Sequence, residues 1–320
     1  MASLLPPFLR PHPLNIPHSR CKNAIYDRRP PLGPVHALWW PPLRQEQALD
    51  RIILFVPGNP GLIEFYIPFL DAIHQHQHGE QLGILALSYM GHTPGFPDAG
   101  VDCLNLPSQV QGFIDAHDNI RAAFGQNIPM TLIGHSVGAW VATQVLKQRT
   151  ASNATAFLLF PTLSHIAKTP NGLRLAHFFS PGPRQFISTL CHLAWFLPFF
   201  LLSLLFRSWP KEQVVVLSKL IRSPSAALAC LTMAHDEMRT ILEPETSMLV
   251  AHQERLYFFY AQQDDWIGNG RQEILLEFRD DEGKRVVIGD GPIPHAFCIS
   301  HWAPVALQCC LWLQLDTLSR

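Results

Sequence analysis

The chain has 320 residues, a formal net charge of -1, 48% hydrophobic residues and only 15% charged ones. That apolar content at this length excludes wholesale disorder, and the near-zero charge leaves no basic face for nucleic acid, which is not expected as a partner. The 7 cysteines are scattered without a C-x-x-C pair, which excludes a zinc knuckle or dithiol redox motif and reads as free thiols of a reducing compartment.

In chain order, residues 1–34 are rich in proline and arginine and carry no acidic residue before Asp27. The apolar stretch at 4–9 is too short and too broken by prolines for a secretory signal. The segment reads as a disordered tail, with an organelle transit peptide as the second reading of the same basic composition. Regular structure is expected from Val35, beginning with an edge strand at 37–40. Residues 51–56 form a continuous apolar run rich in β-branched residues and end in Pro57-Gly58-Asn59-Pro60-Gly61. That is how a buried parallel strand runs into a turn. A helix is expected over 64–74, with Pro68 tolerable only near its first turn. Further strands are expected at 82–89, 130–133 and 156–160, with an amphipathic helix over 106–123 and another helix over 139–147. The alternation resumes with strands at 255–260 and 285–288 and a last helix over 302–315. It argues for one α/β domain over 35–320, built on a mostly parallel sheet with helices on both faces.

An insertion of different composition, about 164–248, separates the two halves. Its centre, 186–206, contains no Asp, Glu, Lys or Arg and is flanked by Arg184 and Arg207. The length approaches the ~20 residues that span a bilayer, but Pro198 would kink or break a helix there. An apolar hairpin that enters one leaflet of a membrane or droplet fits this pattern. A lid helix buried over an acyl pocket is the alternative.

The chemistry centres on Gly134-His135-Ser136-Val137-Gly138, a G-x-S-x-G sequence between an apolar strand and a helical pattern. So tight a turn forces the serine into a strained conformation and exposes its Oγ above the sheet, while the glycines make room for crossing chain. A serine hydroxyl needs a base to take its proton and an acid to orient that base. Asp264, after the strand at 255–260, and His295, on a Gly- and Pro-rich loop after the strand at 285–288, stand in the required order. Asp265 competes with Asp264, and His301, His135 and His92 compete with His295. The oxyanion of a tetrahedral intermediate would meet the backbone N–H of Val137 and one from the turn at 57–61. Pro57 and Pro60 carry no N–H, so Asn59 is the natural donor. His74, His76 and His78 read as a solvated stretch rather than a metal site, and no cofactor motif is read. The sequon at Asn153 carries little weight without a secretory signal.

Together these motifs resemble the lipid droplet-associated hydrolases, a branch of the α/β-hydrolases, from about Ile52 to His301. The resemblance rests on Val56-Pro57-Gly58-Asn59-Pro60-Gly61 with Phe65-Tyr66-Ile67-Pro68-Phe69, on Ile133 to Gly138, and on Phe160-Pro161-Thr162 with Pro170-Asn171-Gly172. It rests also on Tyr260 with Asp264 and Trp266, and on Ile293-Pro294-His295-Ala296-Phe297. It implies the α/β-hydrolase fold, a Ser136–Asp264–His295 triad without cofactor, and lipid esters such as sterol esters or acylglycerols as substrates. It also implies attachment to the cytosolic face of lipid droplets and endoplasmic reticulum through the apolar insertion. Asp265 stands where that family more often has proline, which leaves the choice between Asp264 and Asp265 open. A droplet-surface protein with little turnover and an acyltransferase using the same acyl-enzyme are the competing functions.

Overall fold

The computed structural model describes residues 5–14, 16, 19–44, 47–76, 80–97, 100–278, 280 and 283–318. The strands are β1 (Leu9–Pro11), β2 (Lys22–Tyr26), β3 (Val35–Trp40), β4 (Arg51–Val56), β5 (Leu82–Leu87), β6 (Met130–His135), β7 (Thr155–Leu159), β8 (Leu256–Tyr260) and β9 (Val286–Ile288). They form one sheet in the order β1-β2-β3-β5-β4-β6-β7-β8-β9. From β5 to β9 every pair is parallel, whereas β1, β2 and β3 are joined antiparallel. Strands β3 to β8 are buried along their whole length, as the continuous apolar runs require when both faces of a sheet are covered.

The covering helices include α1 (Ile67–Gln75), α2 (Leu106–Phe124) and α3 (Val137–Gln148). Neighbouring residues of β3 point to opposite faces and show the two layers directly. Trp39 stacks on Phe124 of α2, with ring centroids 6.1 Å apart, while Trp40 donates its indole N–H to Asp71 of α1 at 2.7 Å. Pro68 lies in the first turn of α1, where its missing N–H costs nothing.

The N-terminal expectation needs correction. Regular structure begins at Leu9, and β3 is not an edge, because β2 pairs along it. Tertiary polar contacts hold this segment down. The Tyr26 hydroxyl donates to Asp115 at 2.7 Å, and His36 and Asn23 bond at 2.6 Å. Arg28 is buried, with its guanidinium 5.8 Å from the centre of the Phe113 ring.

Between β7 and β8 the insertion folds as α4 (Pro170–Phe179), α5 (Pro181–Leu190), α6 (Phe199–Leu205), α7 (Lys211–Ile221), α8 (Pro224–Thr240) and α9 (Thr246–Ala251). No single helix among the described residues is long and apolar enough to cross a membrane. The region holding the uncharged centre is instead two short helical stretches, 181–196 and 199–205, bent by 114°. The break falls at Pro198, which starts α6. The chain closes with α10 (Gly270–Glu277), β9 and α11 (Trp302–Leu318), and α11 packs on α1.

Candidate active site

Ser136 sits between β6 and α3 with φ 56° and ψ -124°, in the left-handed half of φ space where a side chain is strained. The flanking glycines show why the turn tolerates nothing larger. A Cβ on Gly134 would lie 2.3 Å from the Gly138 carbonyl oxygen, and one on Gly138 would lie 2.3 Å from that of Val56. The elbow therefore presses directly against the end of β4.

Three of the expected residues meet at this point. His295 Nε2 lies 2.8 Å from Ser136 Oγ, and His295 Nδ1 lies 2.7 Å from Asp264 Oδ2. A carboxylate only accepts, so Nδ1 carries the ring proton and Nε2 is left to accept the serine hydrogen. The other Asp264 oxygen accepts the Trp266 N–H at 2.9 Å, and the side chain is 4% exposed. Asp265 faces solvent, and its carbonyl receives the Asn171 N–H at 3.0 Å. Of the two carboxylates, Asp264 is the one that reaches His295.

The competing histidines lie elsewhere. His301 is exposed beside Ser300. His92 lies under the turn after β4 and accepts the Gly61 N–H at 3.0 Å; burial holds its ring neutral, with its pKa pushed down to about 3. His135 is buried, and its Nε2 lies 2.9 Å from the main-chain carbonyl of His295. That carbonyl accepts, so His135 Nε2 carries the proton and Nδ1 accepts from the Tyr66 hydroxyl at 2.8 Å. Burial, reinforced by His295 nearby, keeps His135 neutral. His74 and His76 bond to the Pro41 and Ala72 carbonyls, and His78 lies outside the described residues. Among the described residues no His, Cys, Asp or Glu cluster could hold a metal.

The turn after β4 is clamped by side chains. Tyr89 donates to the Pro57 carbonyl at 2.8 Å, the Gly58 N–H donates to Tyr66 at 3.0 Å, and Asn59 Nδ2 donates to Cys230 O at 3.0 Å and to Glu237 Oε1 at 2.8 Å. A Cβ on Gly58 would lie 3.1 Å from Ser136 Cβ, so the turn runs alongside the serine. The main-chain N–H groups of Asn59 and Val137 make no hydrogen bond among the described residues.

Ser136, His295 and Asp264 open onto a cavity of about 900 Å³. Its walls are largely apolar: Phe179 of α4, Ile187 of α5, Trp209 ahead of α7, Leu217 and Leu220 of α7, and Leu231 and Met238 of α8. Glu237 also lines it, and the motif reading missed this residue. Burial pushes its carboxyl up to about 8, against the opposing pull of the Asn59 amide. The available signal was a carboxylate at helical spacing from Cys230, Met233 and Ala234, on the buried stripe of α8.

Solved structures share this architecture. The haloalkane dehalogenase DatA from Agrobacterium tumefaciens C58 superposes with a TM-score of 0.65 at 16% identity, over 91% of this chain and 96% of that one. A putative lipase from Acinetobacter baumannii gives 0.60 at 12% identity, over 94% and 93%. At these identities the likeness speaks for the fold, not for the reaction. Curated relatives are nearer in sequence. The human lipid droplet-associated hydrolase is 27% identical over 82% of this chain and 85% of its own length. The Drosophila melanogaster one is 26% identical over 86% and 92%. The model of the lipid-droplet associated hydrolase family matches residues 50–298, and with the α/β-hydrolase sheet around it this chain belongs to that family.

Proposed function

We propose that the protein is a serine hydrolase of lipid esters, working through an acyl-enzyme on Ser136. The observation that carries this reading is the unbroken Ser136–His295–Asp264 hydrogen-bond line at the wall of an apolar cavity. Ser136 Oγ attacks the ester carbonyl carbon while His295 Nε2 takes its proton. The negative oxygen that develops is received by the free N–H groups of Val137 and Asn59. His295 then gives the proton to the departing alcohol, which leaves Ser136 acylated. Water attacks the acyl group next, with the same ring as base, and releases the fatty acid and the free serine. Asp264 holds the tautomer throughout.

The cavity supports a lipid rather than a polar ester. At about 900 Å³ with aliphatic and aromatic walls, it can take an acyl chain and part of a bulky alcohol, as in sterol esters or acylglycerols. The outer face of the insertion supports action at a lipid surface. Phe196, Leu205, Trp195 and Phe200 are 83%, 72%, 68% and 67% exposed, an apolar patch that water does not favour. A droplet surface or the endoplasmic reticulum membrane would cover it from the cytosolic side.

A fluorophosphonate probe together with a long-chain ester emulsion tests the reading. Wild type should be labelled and should release fatty acid, and Ser136→Ala should do neither while keeping its circular dichroism spectrum. Undiminished release by Ser136→Ala overturns the assignment.

A further inference from the structure

The amide side chain of Asn59 is fully committed. One hydrogen goes to the Cys230 carbonyl and the other to Glu237, so both donors strap the turn after β4 to α8. Glu237 is 5% exposed and looks into the same cavity as Ser136. We propose that Glu237, as a neutral carboxyl, is the positioning residue of the oxyanion turn, and that losing its proton switches off turnover on the alkaline side. This rests on the ester-hydrolase reading above, because it gives the Asn59 N–H its task.

The surroundings of Glu237 support a neutral form. Its titratable neighbours are Asp236 and Cys230 on its own helix and Tyr89 after β5. His92 lies beneath the same turn, and His135, Asp264 and His295 line the same cavity. The cations of α8 and α5, Arg239 and Arg184, act on His235, whereas the interactions on Glu237 are with Asn59 and Asp236. Asp236 adds a like charge nearby, and burial removes the water that would solvate a carboxylate. These are the conditions under which a carboxylic acid keeps its proton near neutral pH, here to about 8. Burial pushes the Tyr66 and Tyr89 phenols up as well, so neither takes over this titration.

The consequence follows from charge. A neutral Glu237 accepts one Asn59 hydrogen and leaves the turn uncharged. An ionised Glu237 places an anion in the cavity where the tetrahedral intermediate also develops negative charge. In a largely apolar cavity the two repel most strongly in the transition state, so kcat falls and KM barely moves.

The test is a pH series from about 6 to about 9.5 on a short soluble ester, with kcat and KM measured separately for wild type, Glu237→Gln and Glu237→Leu. Gln keeps an oxygen for Asn59 and cannot ionise. Wild type should lose about tenfold in kcat per pH unit above its break. Glu237→Gln should be a few-fold slower at neutral pH and free of that alkaline fall. Glu237→Leu should be slowed about tenfold or more at every pH, because the strap loses its acceptor. Difference infrared spectra of wild type minus Glu237→Gln at pH ~7 should show a protonated-carboxyl band, a readout independent of turnover. An alkaline fall that persists in Glu237→Gln, or a missing carboxyl band, overturns the inference. Loss of the ester-hydrolase reading looks different: Ser136→Ala would then keep its activity whatever Glu237 does.

Discussion

The His135 ring bonds the main-chain carbonyl of His295 at 2.9 Å, so the residue before Ser136 fixes the loop that carries His295. On its other side the ring accepts from Tyr66, whose oxygen in turn accepts the Gly58 N–H at 3.0 Å. A single line of hydrogen bonds thus joins the turn after β4, the serine elbow and the His295 loop. Phe160 and Phe297 pack around the ring, with centroids 5.9 and 5.0 Å away, and keep water from competing.

His135→Phe should keep the packing and lose both bonds. The buried Tyr66 hydroxyl and the half-buried His295 carbonyl would each be left without their ring partner, at up to ~1–3 kcal/mol apiece. We expect a lower melting temperature and a kcat reduced by about tenfold or more, since the base is no longer held by its own backbone. Tyr66→Phe should show a smaller loss of the same kind, because the bond from His135 to His295 survives. Equal kcat for wild type and His135→Phe would show that the loop holds its position without this line.

Asp264→Asn should cost far more than Asp265→Asn. Only Asp264 reaches His295 Nδ1, at 2.7 Å, while Asp265 points to solvent. Replacing the acid of the best-studied serine triad costs ~10⁴ in turnover, because the imidazole adopts the wrong tautomer. Steady-state kinetics on the two single variants decide this, and a larger loss in Asp265→Asn would refute the geometry.

How much of this was legible follows from where the determinants lie. β4, β6 and the elbow are local: an apolar run, then a turn whose glycines meet backbone at 2.3 Å, so the pattern admits one reading. Chain order alone points to His295 and to Asp264 or Asp265, and which of the two carboxylates meets His295 depends on how the turn after β8 aims each side chain. β1 and β2 were not legible, since they are short and Pro-flanked and are held by remote partners such as Tyr26 with Asp115. Glu237 meets Asn59 across 178 residues of sequence. No periodicity or motif spans that distance; only the folded insertion brings α8 against the turn.

Glu237 also leaves a mark on stability. Its folded pKa, about 8, lies above the ordinary value of 4.5, so between these pH values the folded chain binds more protons than the unfolded one. Stability therefore falls as pH rises from about 4.5 towards about 8 and levels off above, by at most ~1.4 kcal/mol per pH unit. Glu237→Gln lacks this loss. Its melting temperature should gain on that of wild type by several degrees between pH ~5 and ~8. A pH-independent difference between the two would contradict a raised pKa at this position.

The last prediction concerns the lipid surface. Ile187 of α5 and Cys191 at its C-terminal cap line the cavity while Phe186 and Leu190 are 64% and 43% exposed, so one helix separates the cavity from the outside. Beyond it the chain breaks at Pro198 and returns through α6, where Phe200 and Leu204 are 67% and 64% exposed. A droplet is bounded by a monolayer with oil beneath, so a straight span would strand its far polar end in oil. A segment bent by 114° in its middle can enter a monolayer without crossing it. Each exposed Phe or Leu moved out of water contributes ~1.5–3 kcal/mol, and each Asp in its place costs ~2.5–3.5 kcal/mol on insertion scales. Phe196→Asp, Phe200→Asp and Leu204→Asp together should therefore move the protein from floating droplets to the soluble fraction. Hydrolysis of a short soluble ester should persist, since Ser136, Asp264 and His295 stand on other segments. Emulsified long-chain ester should be cleaved far more slowly, because the variant no longer reaches its surface. If the triple variant still floats with droplets, the patch is not the anchor and attachment must come from another part of the chain.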